Sequence, residues 1–296
     1  MGNICQGKSK KNKEIVLSIN KNEHHQGKEE YYGQFNEGKE DLKKIVKNSA
    51  LENEEKSSKE NEENNNESNE KIYEGELIEK KKLKKKTFES ENGDKYEIKY
   101  KNNNLEGKGK IIYKNGDLYE GEFYEDKIQG IGKLIFKKGG YYNGEWNNNY
   151  YEGKGYIEFS NGDKYDGDFV EGKMQGKGTF SYSNGDKYVG NMYEDKKEGE
   201  GTYTYKDGKI YKGEFVNDKK EGKGILNYPN GDEYEGNFQN DMRHGNGVLK
   251  YKNNNKYDGE FMNDMLHGNG LLYKDGKIYQ GIWENNKIKG ELNEIS

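Results

Sequence analysis

Polar and apolar positions alternate in short runs along most of the chain. In Tyr165-Asp166-Gly167-Asp168-Phe169 the two rings and the glycine share one face of an extended segment, and the acids take the other. That period of two is the signature of a half-buried strand. It returns in Gly176-Lys177-Gly178-Thr179-Phe180-Ser181-Tyr182. The pattern also recurs at a fixed interval: Tyr73, Tyr96, Tyr119, Tyr142, Tyr165, Tyr188, Tyr211, Tyr234 and Tyr257 are spaced by 23 residues, and Tyr279 follows after 22. A period of this length marks a repeat array. Units such as YEGEFYEDKIQGIGKLIFKKGGY and YKGEFVNDKKEGKGILNYPNGDE share the frame Y-x-G-x-F, a polar bend, G-x-G, a short apolar run, then Asn-Gly or Asp-Gly. The pairs Asn115-Gly116, Asn161-Gly162, Asn184-Gly185, Asp207-Gly208, Asn230-Gly231 and Asp275-Gly276, with Asn253-Asn254 in the same phase, predict tight hairpins with positive φ at both central residues.

Hairpins at every connection make all neighbouring strands antiparallel. A ring at the first or fifth position can lie over a glycine of the adjacent strand and shield its bare backbone, so rings on glycines replace a layered core. The expected fold is all-β: an elongated single-layer twisted antiparallel sheet of tandem hairpins. Nine such units make a ribbon roughly 85–90 Å long, stabilised unit by unit along one dimension.

The frame Y-x-G-x-[FW] followed by G-x-G at this period resembles the MORN family, membrane occupation and recognition nexus repeats, over residues 73 to about 291. The ends depart from it. Lys84-Lys85-Lys86 stands where the first unit should carry G-x-G, Ile98 replaces a glycine, and the last unit stops soon after Gly290, as array-capping units do. The resemblance implies a scaffold at membrane–cytoskeleton junctions, cilia or cortical structures, acting through protein partners. It also implies a possible phospholipid-binding role. Similar arrays accompany phosphatidylinositol phosphate kinases and protein methyltransferases, each of which needs a separate catalytic domain. No such constellation stands in this chain, so a non-enzyme without cofactor is expected.

Composition sharpens the division of the chain. Only 29% of residues are apolar and 35% are charged, a balance typical of disorder, yet 26 Tyr, 10 Phe and 41 Gly belong to ring-on-glycine burial. Residues 72–296 form the array. Residues 1–71 read as a largely disordered leader, with an acidic Asn/Glu-rich linker in Leu51–Glu70 and Leu42, Ile45, Val46 and Ala50 at helical spacing. Tyr31-Tyr32-Gly33-Gln34-Phe35 matches the first half of a unit without the second. No run approaches the roughly 20 apolar residues that span a bilayer. A net charge of −5 argues against general nucleic-acid binding.

GNICQGKS, Gly2 to Ser9, spells the phosphate-loop pattern, but the strand that must lead into such a loop is missing. The same residues suit acylation better: myristoylation at Gly2, palmitoylation at Cys5, and anionic-lipid contact by Lys8, Lys10, Lys11 and Lys13. Two signals of this kind give durable attachment where one chain does not. Gln6 departs from the Ser or Thr the motif prefers, and the competing reading is a basic start with an incidental cysteine. These signals place the chain on the cytoplasmic face of a membrane.

His244 and His267 share a phase with Glu106, Gln129, Glu152, Gln175, Glu198 and Glu221, and units about 10 Å apart cannot share a zinc ion; no metal site is expected. The recurring acids Glu122, Glu145, Asp168, Glu214 and Glu260 read as a solvated ladder, with docking of a basic partner as the alternative. Lys80–Lys86 reads as a charged cap or a lipid contact. The candidate binding face is the ring side: Tyr119, Phe123, Tyr142, Trp146, Tyr165, Phe169, Tyr188, Tyr211, Phe215, Tyr234, Phe238, Tyr257, Phe261, Tyr279 and Trp283. Rings left uncovered there would offer a groove to a peptide or helix. A homodimer through the sheet's terminal strands is the further possibility.

Overall fold

The computed structural model describes residues 84–101 and 104–296, which form one open sheet of twenty strands and no helix. The strands run β1 (Lys84–Glu89), β2 (Lys95–Lys101), β3 (Asn104–Ile112), β4 (Leu118–Tyr124), β5 (Lys127–Ile135), β6 (Tyr141–Asn147), β7 (Tyr150–Glu158), β8 (Lys164–Val170), β9 (Lys173–Ser181) and β10 (Lys187–Tyr193). They continue as β11 (Lys196–Thr204), β12 (Ile210–Val216), β13 (Lys219–Asn227), β14 (Glu233–Gln239), β15 (Met242–Lys250), β16 (Lys256–Met262), β17 (Met265–Lys274), β18 (Lys277–Glu284), β19 (Lys287–Ile288) and β20 (Asn293–Glu294). From β1 to β18 each strand pairs antiparallel with the next in the chain.

One glycine from every strand between β3 and β18 faces its neighbour's glycine, giving an unbroken row from Gly109 to Gly281. A tyrosine ring fills the space their side chains would have used. A Cβ on Gly155 would sit 2.5 Å from the Tyr142 ring, closer than any carbon contact allows. At the start of the row Ile98 occupies the glycine's place and covers Gly109, itself only 1% exposed.

The turns correct the expectation for the connections. Positive φ at both central residues belongs to the polar bend inside each unit, at Asn148-Asn149 (φ 50 and 70) and Asn217-Asp218 (φ 48 and 71), for example. Asn and Asp tolerate the left-handed region, and this turn matches the twist of its strands. The Asn-Gly pairs instead lie in five-residue loops in which only the glycine takes positive φ, as at Gly162 (φ 86). There Gly162 N–H donates to the Phe159 carbonyl and Phe159 N–H to that of Asp163, a type I turn closed by a glycine bulge. The expected two-residue form occurs at Asp275-Gly276 (φ 53 and 76). One residue fewer there accounts for the 22-residue step to Tyr279.

Acidic and amide side chains clip unit to unit along both margins. In the bends, Asp218 Oδ1 accepts the Lys197 N–H at 2.9 Å and Asp241 Oδ1 the Lys220 N–H at 2.9 Å. In the loops, Asp163 Oδ1 accepts the Ser183 N–H at 2.7 Å and Asp186 Oδ1 the Lys206 N–H at 2.8 Å. At the C-terminal margin β18 pairs with both β19 and β20. Leu292 reaches the surface of Gly281, and Ile295 N–H donates to the Ile278 carbonyl. The last strand's edge is thereby partly occupied by the chain's own end, as repeat arrays require.

Candidate functional site

The ring face is built from two interlocking rows laid over the glycines. Tyr119, Tyr142, Tyr165, Tyr188, Tyr211, Tyr234 and Tyr257 lie on the glycines and are fully buried. Each of their hydroxyls donates to the carbonyl three residues on, as Tyr142 does to Glu145 at 2.8 Å and Tyr188 to Asn191 at 2.7 Å. Rings at the fifth position then meet them edge-on from both sides. Tyr234 contacts Phe238 of its own unit at 5.3 Å and Phe261 of the next at 4.9 Å, with interplanar angles of 86° and 75°. Edge-to-face pairs of this kind add about 0.5–1.5 kcal/mol beyond the area they bury. Met192, 4% exposed, stands in the slot that rings hold in other units.

Of the rings expected to present a binding surface, all but Tyr279 are buried, with Phe123, Trp146, Phe169, Phe215, Phe238, Phe261 and Trp283 each at 4% exposure or less. Their surface is spent on one another and on glycine. Only Tyr279, in the terminal unit, is half-buried. Burial pushes the Tyr257 hydroxyl up to about 12, with Glu260 adding to the shift. It raises the other glycine-covering tyrosines too.

On the opposite face, the recurring acids have a structural task that their spacing alone did not reveal. Inside each unit the register shifts by a bulge beside the glycine pair, as between Gly144 and Trp146, whereas the glycine pairs between units, such as Gly132 and Gly144, lie in regular ladder; the bulge leaves one N–H without a ladder partner. Glu122, Glu145, Asp168, Glu214 and Glu260 accept the N–H groups of Ile131, Lys154, Lys177, Lys223 and Asn269 respectively, at 2.9–3.2 Å. The row holding His244 and His267 does similar work elsewhere: Glu198 and Glu221 accept the N–H of Asn217 and Asn240 in the next bend. Among the described residues no group of three His, Cys, Asp or Glu side chains could hold a metal ion.

This face carries a recess of about 590 Å³ across β2 to β6, lined by Lys99, Lys108, Lys110, Glu120, Ile131 and Lys133 among others. Beside it runs an apolar ridge that the repeat frame did not announce. Ile112 pairs with Leu118, Leu118 with Ile135, and Ile135 with Tyr141, so four side chains stand in line over β3 to β6. Ile112 is 45% exposed, Ile135 39%, and neighbouring Ile131 56%. Tyr141 meets Tyr156 at 5.7 Å and carries the Lys133 ammonium 4.2 Å over its ring. The signal was present in the sequence as aliphatics at outward-facing positions, where most units place polar residues.

Gly2, Cys5, Lys8, Lys10, Lys11 and Lys13 lie outside the described residues, as do the candidate helix at Leu42–Ala50, the Tyr31–Phe35 fragment and the acidic linker. Of the lysine cluster, Lys84–Lys86 open β1. No described helix is long and apolar enough to cross a membrane.

An open sheet of tandem hairpins, cored by rings on a glycine row, defines a β-hairpin repeat protein. The MORN repeat matches nine times in succession, at residues 99–118, 119–141, 142–164, 165–187, 188–210, 211–233, 234–256, 257–278 and 279–291, and the chain belongs to the MORN repeat family. No curated protein matches it. Among solved structures it is similar to the TCP10 domain of Danio rerio CPAP in complex with a peptide of STIL, at 11% identity and a TM-score of 0.44, covering 72% of this chain and 92% of that one. It is also similar to the Drosophila melanogaster SAS-4 TCP domain in complex with a proline-rich motif of Ana2, at 18% identity and a TM-score of 0.34, covering 52% and 84%.

Proposed function

We propose that the chain is a non-enzymatic scaffold, tethered to the cytoplasmic face of a membrane by its N-terminus, whose repeat sheet docks a protein partner. The observation that carries the docking half is the ridge beside the recess in which exposed Ile112 and Ile135 alternate with half-buried Leu118 and Tyr141. On a face whose other exposed aliphatics, such as Val189 and Ile282, stand opposite polar residues, a contiguous apolar line is the feature expected of an interaction surface. The tether rests on Gly2, Cys5 and the lysines that follow. Lys110 and Lys133 beside the ridge favour a second reading, in which the repeats themselves contact phospholipid headgroups.

Fractionation of cells expressing wild type, Gly2→Ala and Cys5→Ser separates the two halves. The scaffold reading expects wild type in the membrane fraction, both variants shifted to the soluble fraction, and the same co-purifying proteins in all three. Ile135→Lys should lose those proteins and keep the membrane fraction. Equal partition of all three chains sinks the tether, and partners indifferent to Ile135→Lys sink the docking surface. Binding of purified Gly2→Ala to anionic vesicles, weakened by salt, would favour the phospholipid reading.

A further inference from the structure

The ring face changes character halfway along the array. A row at the start of each unit's second strand covers the buried tyrosines, and in the first units it is apolar and closed: Leu105, Ile128, Tyr151 and Met174 are each at most 4% exposed. The same row continues as Lys197, Lys220 and Arg243, then returns to Leu266. Its neighbours across the preceding unit change with it. Phe136 and Phe159, 5% and 6% exposed, give way to the half-buried tyrosines Tyr182, Tyr205 and Tyr228. Tyr113 and Tyr251 hold the same slot beside Ile128 and Leu266, but where a lysine follows, it uses the hydroxyl: Lys197 Nζ donates to the Tyr182 hydroxyl at 3.3 Å, and Lys220 Nζ to that of Tyr205 at 3.1 Å.

The three cations are not equally compensated. Lys197 Nζ lies 3.4 Å from Asp218, and Arg243 Nε donates to Asp264 Oδ1 at 3.1 Å. The corresponding Asp241 accepts the Lys220 backbone N–H just as Asp218 and Asp264 accept those of Lys197 and Arg243, but among the described residues no carboxylate comes within ion-pair distance of Lys220 Nζ. That ammonium lies 5.6–5.9 Å from the ring centres of Tyr205, Tyr211 and Phe238. Desolvation holds its pKa below the ordinary lysine value despite Asp241 and Asp264. A half-buried cation among rings, hydrogen-bonded to a neutral phenol, is stabilised by an anion supplied from outside.

The spacing selects the form of that anion. Equivalent positions lie two strands apart, about 9.6 Å, and three residues of a peptide in the extended polyproline-II conformation, which brings every third side chain back to one face, span about 9.3 Å. The geometry points to a docking stripe on the ring face of β11 to β15 that takes an extended acidic peptide laid along the array. One carboxylate meets Lys220, and its third neighbour toward β15 reaches half-buried Arg243, while Lys197, 6% exposed and paired with Asp218, closes the other end of the stripe. The residues between them lie over the half-exposed rings of Tyr182, Tyr205 and Tyr228. This inference rests on the reading of the sheet as a protein-docking scaffold, and it names the chemistry of a partner on the other face.

The array supplies its own conservative replacements for the test. Fluorescence anisotropy of a dye-labelled peptide with glutamate at every third residue, titrated with the full chain, should show saturable binding that weakens with salt. Lys220→Met, which installs the residue Met174 provides in the same row, should weaken it by roughly tenfold or more. Tyr205→Phe, which removes only the hydroxyl and leaves the ring that Phe159 presents two units earlier, should weaken it severalfold. Lys223→Met on the opposite face of β13 should leave it within about twofold. Equal binding of a peptide with its glutamates clustered, indifference to both Lys220→Met and Tyr205→Phe, or displacement by anionic vesicles with no dependence on Lys220 would overturn the proposal. Should cellular partners depend on Ile135 while the peptide fails to bind, this site falls and the scaffold stands.

Discussion

Gly155 shows how little room the tyrosine row leaves. A methyl group there meets the Tyr142 ring at 2.5 Å on one side of a sheet that cannot back away without breaking its ladder. Gly155→Ala should therefore cost about 1–3 kcal/mol, read as a lower thermal midpoint in circular dichroism. Tyr151 gives the opposite case. Its ring stacks on Tyr142 at 3.8 Å, but among the described residues its buried hydroxyl has no hydrogen-bond partner. Tyr151→Phe should raise stability by about 1 kcal/mol in a urea titration, since the penalty of an unpaired buried hydroxyl disappears. Ring burial was legible from the tyrosine ruler, because a ring over a glycine needs only a period and an alternation. Its completeness was not: that each hydroxyl of the glycine-covering row is spent on a carbonyl, and the ring edges on Phe, Trp or Met side chains, follows from the register, which letters alone do not reveal.

The same limit applies to the hairpins. Asn-Gly reads as the strongest two-residue turn signal, yet here the loop is longer and the glycine serves as its bulge residue, while Asn-Asp pairs take the tighter turn. Both dipeptides tolerate positive φ, so composition could locate the connections without assigning their types. Loop clips expose a dependence between distant residues. The chain's single proline, Pro229, falls where most units place a clip-donating N–H, and the residue that would accept from it is Lys209 where others carry Asp. Neither partner exists, so the proline costs nothing there. A double-mutant cycle should show Lys209→Asp and Pro229→Lys each nearly neutral or unfavourable alone and stabilising by about 1 kcal/mol together. Strictly additive effects would show that the clips contribute no coupling.

Across the whole array the buried phenols act in concert. Their pKa values are raised in the folded chain, so their contribution is complete below the ordinary tyrosine value of 10.0 and is lost as pH climbs through the folded values, about 12 for Tyr257. Stability followed by circular dichroism should hold to about pH 10 and then fall steeply, and replacing one unit's tyrosine by phenylalanine should make that fall shallower. Asp186 works at the other end. Partial burial alone would raise its pKa, but hydrogen bonds from Lys206, Tyr203 and Asn184 outweigh it and hold the carboxyl low, so its contribution is present above the unfolded carboxylate range and fades as acid protonates it. At this scale the sequence made the array plain through its period. It hid the change from sealed to cationic on the ring face, because Lys and Met at one slot look interchangeable until their neighbours are known.

The unclipped loops have a mechanical meaning. Between Gly140 and Ser160, and again between Lys209 and Pro229, the side-chain acceptor that joins successive loops elsewhere is replaced by a residue that cannot accept. Those seams keep their strand ladders and their rings but lack the tie along one margin. A sheet tied on both margins resists splaying, whereas one tied on a single margin opens like a book. Under a sideways load the described array should open more readily at these two creases than at doubly tied seams, such as the one that Asp186 and Asp218 clip on opposite margins.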